Sequence, residues 1–403
     1  FQKGDWRSGY YRDQTFMFGI EECTIEQYFA QLYADHDNDP FSGGRQMNSH
    51  YATRTIDEND KWLPLKDLYN ISSDISCTGG QMARGLGLAM ASKLLKEGPD
   101  FRDKATLTDD GQEIIFCTIG DASTSEGIFW ETLNAATVDK VPMVVCVWDD
   151  GYGISVPTEK QTAKGSISRA MEGFLVDEDG EGMLIYTVKG WNYTDLCAVF
   201  EKVTKKVREE SRPALIHVQE LTQPQGHSTS GSHERYKSKE RLEWEKEYDC
   251  NVKFEEWIIK NDIASIDEIE SIKEKAKDDA KKGKDNAWKN YASAVKNEVK
   301  KLNSIYDSIH VETQSITELK NGLNATLNPV YGDVVKNVRQ FKQELFISGH
   351  QTPDALQEFL DKSYSAAHDR YHTHLYSTSD NAAVNIPVVH PVYSESSRKM
   401  NGY

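Results

Sequence analysis

The residues from Ile114 to Ser155 read IIFCTIGDASTSEGIFWETLNAATVDKVPMVVCVWDDGYGIS, and this stretch decides the fold. The apolar, β-rich run 114–119 predicts a buried strand, 124–137 predicts a helix, and the second apolar run 141–148 predicts another strand. Two parallel strands need a connection of about a dozen residues or more, most often a helix. The sequence therefore predicts a βαβ unit, the building block of a parallel sheet.

An aspartate follows each of the two predicted strands, Asp121 after the first and Asp150 after the second. Ligands of open α/β sheets bind where the carboxyl ends of the strands meet, so we expect both carboxylates to face a ligand there. Carboxylate oxygens suit Mg²⁺, which commonly keeps phosphate oxygens and water as its other ligands. An aspartate after a strand is also a common helix cap, so the pair gains weight only from the other motifs.

Six motifs follow one another along the chain. They are YYRD at 10–13, GGRQMNSHY at 43–51, SCTGGQMARGLG at 76–87, GDASTSEG at 120–127, DDGYGIS at 149–155 and GHSTS at 226–230. Together they resemble the α subunit of the thiamine-diphosphate-dependent E1 component of 2-oxoacid dehydrogenases, over about residues 9–245. The branched-chain (2-oxoisovalerate) type is the most similar, because it shares the GRQM…HY, SEG and GHSTS signatures.

The resemblance implies a thiamine-diphosphate-binding fold: an α/β architecture with a mostly parallel sheet, helices on both faces, and a helical extension after it. We expect a diphosphate-side binding domain over 1–245, a charged helical segment over 246–308, and a helical extension and linker over 309–403. The final residues, Arg398 to Tyr403, resemble the start of the partner β subunit. We therefore expect a fragment of a fused α–β polypeptide, cut shortly before YYRD.

The resemblance also implies a metal site around Gly120-Asp121-Ala122, which stands where the family has Gly-Asp-Gly. The carboxylates of Asp121 and Asp150 and the backbone carbonyl of Tyr152 are the implied Mg²⁺ ligands. In the family the second ligand is usually an asparagine. Asp150 therefore adds a negative charge beside the diphosphate, and this charge calls for extra neutralisation.

Other positions match family residues that hold the cofactor. Tyr11 and Arg12 match residues that grip the diphosphate, and guanidinium–phosphate contacts are often bidentate and strong. Ser76 and the backbone at Thr78 match positions on the pyrimidine side of the cofactor.

One cation of the family is missing. The position before the Asn-Asn pair is Arg in branched-chain enzymes and Trp148 in this chain. Lys160 and Lys164 are the candidates for replacing its charge.

Two histidines match family residues with chemical roles. His227 in GHSTS matches a loop histidine that contacts the diphosphate and steers protons during acyl transfer, a role suited to a side chain that titrates near neutrality. His50 matches a histidine that faces the reactive end of the cofactor. The run HDRYHTH at 368–374 has a His pair at metal-ligand spacing but no further ligand in view, so we do not predict a metal there.

The implied activity is that of an E1 component: oxidative decarboxylation of a 2-oxo acid, with acyl transfer to the lipoyl group of the E2 acyltransferase. A branched-chain substrate is favoured, and a pyruvate or acetoin dehydrogenase E1 is the alternative. The glutamate that activates the cofactor comes from the β half in this family, so activity is expected only with a β subunit or β half, in a heterotetramer-like oligomer. The competing hypothesis is a non-catalytic α-like assembly subunit, which Ala122, Trp148 and Asp150 favour.

Composition limits the other function classes. The chain has 403 residues and a formal net charge of −17 at pH 7, and this acidity argues against nucleic-acid binding. No apolar run reaches the ~20 residues that cross a bilayer, so we expect no membrane span. Six cysteines without disulfide spacing predict reduced thiols and a cytoplasmic location.

Beyond residue 245 the pattern is helical and charged. Ser265 to Glu268 has the form of a capping box. The run KDDAKKGKD at 277–285 predicts a solvated turn between two helices. Apolar residues between Trp288 and Tyr306 recur at heptad spacing, which favours an amphipathic helix on its own core over a coiled coil.

Overall fold

The computed structural model describes residues 1–98, 103–228, 232–373, 380, 382–388 and 390–397. Arg398 to Tyr403, which carry the predicted start of a β half, lie outside these residues, as does His374. The strands are β1 Trp6–Ser8, β2 Asn70–Ile71, β3 Ile115–Gly120, β4 Met143–Trp148, β5 Tyr152–Gly153, β6 Val156–Pro157, β7 Leu184–Lys189 and β8 Ala214–Gln219.

Six of these strands form one parallel sheet in the order β2-β1-β3-β4-β8-β7, and β5 and β6 form a small antiparallel pair. In the register of β3 and β4, Gly120 lies opposite Trp148. Asp121 follows Gly120 and Asp149 follows Trp148. The two aspartates therefore lie after neighbouring strands, at the same edge of the sheet. The predicted βαβ unit and its mostly parallel sheet are therefore confirmed.

The α-helices occupy both faces of the sheet and continue beyond it. They are α1 Gln14–Gly19, α2 Ile25–Leu32, α3 Gly80–Glu97, α4 Lys104–Leu107, α5 Gly127–Asp139, α6 Ile167–Ala170, α7 Tyr193–Glu210, α8 Lys239–Glu247, α9 Cys250–Lys260, α10 Ile266–Asp307, α11 Gln314–Ala325, α12 Tyr331–Ile347 and α13 Asp354–Tyr371. Where the structure describes the chain, none of these helices is both long and apolar enough to cross a membrane.

The central strands read as continuous apolar runs because both faces of the sheet are covered. On one face, α3 and α5 pack on β3 and β4, with Met82, Phe129 and Leu133 fully buried. On the other face, Val203 and Val207 of α7 pack against the alternate residues of the same strands. Side chains that point to either face of β3 and β4 are therefore equally buried.

The crossover helix begins later than the sequence predicts. Residues Ala122–Ser125 form a short 3₁₀ turn, and Glu126 is extended before α5 begins at Gly127. The loop after β3 therefore continues to Glu126, beyond the expected start of the helix at Thr124. The extra turn keeps the backbone next to Asp121 outside the α-helix.

The predicted turn at residues 277–285 is wrong, because this segment lies inside the continuous helix α10. Gly283 is there for packing, since a Cβ at this position would lie 2.7 Å from Cγ2 of Ile25 in α2. Glycine therefore lets α2 and α10 cross closely, and the surrounding lysines and aspartates stay in solvent. The capping box before α10 is confirmed: Glu268 N–H donates to Ser265 Oγ (3.3 Å), and Ser265 N–H donates to Glu268 Oε2 (2.8 Å).

The helical extension has a hydrophobic core of its own. Val295, Leu302 and Tyr306 of α10 pack with residues of α11, α12 and α13, and Tyr306 stacks on Phe341 at 4.1 Å between ring centroids. Packing on its own core, favoured for the heptad-spaced residues, is therefore confirmed. This core includes residues on both sides of position 308, where the sequence predicts a boundary. The predicted domain boundaries stay predictions.

Candidate cofactor site

The two strand-end aspartates lie in buried turns. Asp121 is 6% exposed, and its Oδ2 accepts a hydrogen bond from Thr158 Oγ1 at 3.1 Å. Asp150 is 8% exposed, and its Oδ1 accepts one from Tyr152 N–H at 3.3 Å. The residue that donates this bond, Tyr152, also carries the backbone carbonyl predicted as the third ligand.

Burial raises the pKa of both carboxylates. Burial, followed by the charges of Asp149 and Asp150, raises the pKa of Asp121 to about 8. Burial raises the pKa of Asp150 to about 6. The acidic cluster therefore favours a bound proton or cation.

Asp149 has a different role, which the sequence reasoning did not find. Its Oδ2 lies 2.7 Å from Nε2 of the fully buried His217, and Ser168 Oγ lies 3.0 Å from Nδ1 of the same ring. Burial alone would raise the pKa of Asp149, but the hydrogen bond and charge of His217 lower it below its usual value. Asp149 thus stays an acceptor tied to β8. In the sequence, the one indication of this contact is the position of His217 within the strand β8.

The replacement of the family glycine by Ala122 is accommodated by a second glycine. A Cβ at position 153 would lie 2.7 Å from Cβ of Ala122 and 2.4 Å from Oε1 of Gln161. Gly153 therefore makes room for the methyl group of Ala122, and the turn after β3 keeps its close approach to the DDGY loop.

The YYRD loop contacts the same sheet edge. A Cβ at Gly120 would lie 3.6 Å from the hydroxyl of Tyr10, so the Tyr10 ring lies close to the end of β3. Arg12 Nη2 donates to the carbonyl of His227 at 2.7 Å and lies 3.3 Å from its Nδ1, which joins this loop to GHSTS. Burial and the charge of Arg12 lower the pKa of His227. Tyr11 is 47% exposed, with its ring 5.3 Å from the Arg12 guanidinium.

His50 is buried and held at both ring nitrogens. Nδ1 lies 3.2 Å from the carbonyl of Asn48, and Nε2 lies 3.0 Å from Ser76 Oγ. A backbone carbonyl can only accept, so Nδ1 carries a proton, and Nε2 shares a hydrogen bond with the Ser76 hydroxyl. Gln31 of α2 also donates to the carbonyl of His50 at 2.6 Å. Thr78 is exposed in the turn before α3.

Two cations that the sequence reasoning missed lie against the DDGY loop. Arg241 Nη2 donates to the carbonyl of Asp150 at 2.7 Å, and Lys237 Nζ lies 5.1 Å from the centroid of the Tyr152 ring. Both also pair with the buried Glu245. No periodicity or motif marks them, because they reach this loop only through the fold of the segment after GHSTS.

Lys164, one of the two cations that the sequence proposed in place of the arginine missing at Trp148, has another partner. Its ammonium pairs with Glu172 at 2.6 Å on an exposed surface. Lys160 is exposed after β6. The cations placed against the DDGY loop are therefore Lys237 and Arg241.

The donor set fits Mg²⁺ and a diphosphate. Two buried carboxylates with raised pKa values and one backbone carbonyl are hard oxygen donors, and Mg²⁺ takes the rest of its octahedron from phosphate and water. Among the described residues no group of three or more His, Cys, Asp or Glu side chains is arranged around a metal. The proposed Mg²⁺ site uses only two carboxylates, so it does not require such a group of three. Assignment of these residues to Mg²⁺ stays a prediction.

Comparison with known proteins identifies the family. The family model described as "Dehydrogenase E1 component" matches residues 1–293. The chain is 27% identical over 287 residues to the 2-oxoisovalerate dehydrogenase subunit alpha of Bacillus subtilis (strain 168), covering 68% of this chain and 74% of that protein.

Two further relatives are also α subunits. The mitochondrial 2-oxoisovalerate dehydrogenase subunit alpha 2 of Arabidopsis thaliana is 26% identical, over 59% of this chain and 43% of that protein. The pyruvate dehydrogenase E1 component subunit alpha of Rickettsia prowazekii (strain Madrid E) is 25% identical, over 50% of this chain and 54% of that protein. The matched stretches thus span about half the length of these two relatives. With its parallel sheet and its matched span, this chain belongs to the dehydrogenase E1 component family.

Proposed function

We propose that the chain is the α component of a 2-oxoacid dehydrogenase E1. With a β subunit or β half, it would carry out the thiamine-diphosphate-dependent oxidative decarboxylation of a 2-oxo acid and pass the acyl group to the lipoyl arm of E2. The observation that carries the proposal is the pair of buried carboxylates, Asp121 and Asp150, at adjacent strand ends of a family member.

Each set of residues has a proposed task. Asp121, Asp150 and the Tyr152 carbonyl hold Mg²⁺, and the backbone from Gly120 to Ala122 lies along the cofactor. Thiamine diphosphate, when bound, supplies the carbanion chemistry that the side chains lack. The protein contributes position, charge and proton transfer.

Arg12 in the YYRD loop provides positive charge for the diphosphate. Arg12 keeps donors beyond the one it gives to the carbonyl of His227, and a guanidinium has five N–H groups. Lys237 and Arg241 support the metal side by holding the DDGY loop and by offsetting the charge of Asp150.

The two histidines differ in their proposed tasks. His227, whose lowered pKa favours the neutral ring, accepts and returns protons near the diphosphate. His50 Nε2 lies 3.0 Å from Ser76 Oγ, so this pair can relay a proton at the pyrimidine side. Ser76 and Thr78 belong to the same exposed turn.

A branched-chain 2-oxo acid is the proposed substrate. Two of the relatives above bear the name 2-oxoisovalerate dehydrogenase, and the GRQM…HY and GHSTS motifs support that type. Pyruvate is the alternative, since the third relative is a pyruvate dehydrogenase subunit. Rates with 2-oxoisovalerate and pyruvate, measured on the chain assembled with an E1 β subunit, decide between them by the ratio of kcat/KM.

Calorimetric titration of the chain assembled with an E1 β subunit, with thiamine diphosphate in the presence of MgCl₂, tests the proposed site. Wild type should bind close to one cofactor per chain. Asp121→Asn should weaken binding at least about tenfold, because it removes a charged metal ligand. Asp278→Asn on the exposed surface of α10 is the matched control and should bind as wild type does.

Absence of cofactor uptake by wild type would contradict the proposal. Together with a stable complex with a β subunit, that result would favour the second candidate, a non-catalytic assembly subunit. The departures at Ala122, Trp148 and Asp150 are the observations in favour of that candidate.

A further inference from the structure

We propose that Arg7 is a positioning residue of the cofactor site, which holds in one arrangement the four segments that carry the proposed ligands. Arg7 touches none of the proposed ligands itself and would act through Asp13 and Asp74. The inference rests on the proposed function, since it concerns the same site. Neither a motif nor the family resemblance singled out this residue.

Arg7 is 1% exposed and sits on β1 with its guanidinium saturated by oxygen acceptors. Nη1 donates to both carboxylate oxygens of Asp74, at 3.1 and 3.0 Å. Nε donates to Asp13 Oδ2 at 2.8 Å, and Nη2 donates to the carbonyl of Tyr10 at 3.0 Å. One planar group thus joins β1, the YYRD loop and the loop before α3.

Asp74 extends the network to the two segments on the pyrimidine side. Its Oδ2 accepts from the backbone N–H of Tyr51 at 2.9 Å, immediately after His50. Asp74 also lies two residues before Ser76, the hydrogen-bond partner of His50. The Tyr51 ring completes the enclosure, with its centroid 5.8 Å from the guanidinium carbon of Arg7.

Asp13 extends the network to the metal side. Its Oδ2 accepts from Thr118 Oγ1 at 2.5 Å, two residues before Gly120 at the end of β3. Gly9 shows how tightly this corner is built: a Cβ there would lie 2.1 Å from Asp13 Oδ2 and 2.4 Å from Arg7 Nε. The YYRD loop can approach the guanidinium only because residue 9 has no side chain.

The properties of the guanidinium group explain why residue 7 is an arginine. A buried charge is tolerated only when it is paired and hydrogen-bonded, and the rigid fork of a guanidinium fixes the relative positions of the groups it binds. A lysine would keep the charge but offers three donors from one point, so it cannot hold Asp13 and Asp74 at the same distances and angles. The loops around Arg12, His50 and Ser76 would then be free to shift.

A second Arg–Asp pair at the other end of β1, with its aspartate buried and its arginine partly exposed, provides a control. Arg208 donates to both carboxylate oxygens of Asp5, at 2.9 and 3.0 Å, and Asp5 is fully buried. Asp5 also accepts from Ile114 N–H at 2.9 Å, at the amino end of β3. This pair contributes to stability, yet it contacts none of the loops of the proposed site.

The test compares Arg7→Lys with Arg208→Lys in the chain assembled with an E1 β subunit. The melting temperature without cofactor is measured first, and then the Kd for thiamine diphosphate at fixed MgCl₂, by calorimetry well below both melting temperatures. Both variants should melt below wild type. Arg7→Lys should raise the Kd at least about tenfold, as losses of supporting contacts around a metal site do. Its stoichiometry should stay near one cofactor per chain, and Arg208→Lys should bind within about twofold of wild type.

Equal Kd values for the two variants and wild type would overturn the positioning role while leaving the proposed function intact. No binding by wild type would overturn both. If Arg7→Lys fails to fold, Asp74→Asn gives the second reading. It keeps the volume and the acceptor for Tyr51 N–H but loses the charge and one acceptor for Arg7. It should likewise weaken cofactor binding, and a wild-type Kd for Asp74→Asn would overturn the proposal.

Discussion

At the scale of single residues, the site departs from its family pattern in charge. Asp150 brings a carboxylate where the family usually has an amide, and Trp148 removes an arginine. The structure places Arg241 on the Asp150 carbonyl and Lys237 against the Tyr152 ring. Lys237 and Arg241, almost a hundred residues later in the sequence, thus supply the positive charge that is missing at position 148.

The ion pair between Lys237 and Glu245 should stabilise this corner measurably. Lys237 Nζ donates to both carboxylate oxygens of Glu245, at 2.7 and 3.0 Å, and both side chains are buried. Lys237→Met leaves the buried carboxylate with Arg241 alone, and removal of one member of such a pair costs about 3 kcal/mol. Urea unfolding should show this loss in the free energy of unfolding.

The matching change in an exposed pair is the control. Lys301→Met breaks a pair with Glu298 at the surface of α10 and should leave the unfolding free energy almost unchanged. An equally small effect of Lys237→Met would mean that Arg241 alone satisfies Glu245.

The sequence names the proposed ligands but not the residues that support them. Asp121, Asp150, Arg12 and His227 could be named because short motifs carry them. Their supports could not be named from sequence. Arg7 and Asp74 are 67 residues apart and meet only through the pairing of β1 with its neighbours. A charged residue in a strand reads as exposed until its partners are known.

At the scale of elements, strong periodic runs predicted their own type. The strands β3 and β4 lie within two residues of their expected positions. Inside the helical extension expected over 309–403, α11 has little apolar pattern of its own, because its segment is mostly polar and only Ile316 and Leu323 are buried. The turn at 277–285 was predicted wrongly because glycine and charge normally mark a loop.

Gly283 provides a test of the reason for that exception. Alanine in a helix interior is favoured over glycine by about 1 kcal/mol. At position 283, however, its Cβ would meet the branched side chain of Ile25 at 2.7 Å and the backbone nitrogen of Glu26 at 3.3 Å. Overpacking costs about 1–3 kcal/mol, so Gly283→Ala should lower the melting temperature.

Gly322 in α11 is the control, because a Cβ there would meet nothing within 4 Å. Gly322→Ala should stabilise the protein by about 1 kcal/mol in chemical unfolding. If both substitutions stabilised the protein, α2 and α10 would not be in close contact.

At the scale of the whole molecule, the chain is built around separate hydrophobic cores. The two cores on either face of the sheet support the proposed site, and a third joins α10 to α11, α12 and α13. The family match ends at residue 293, near the start of this third core. The helix α10 links the two parts, since its middle, at Gly283, packs on α2 and its residues from Val295 onward join the third core.

The central claim is that Asp121, Asp150 and the Tyr152 carbonyl hold one divalent cation. The most direct measurement is a crystal structure of the chain in complex with an E1 β subunit, grown with thiamine diphosphate and Mn²⁺ in place of Mg²⁺, with data collected for anomalous scattering. The account predicts one anomalous peak within coordination distance of both carboxylates and that carbonyl, next to the diphosphate. A bound cofactor whose metal peak lies elsewhere, with the two carboxylates turned away from it, would contradict the account.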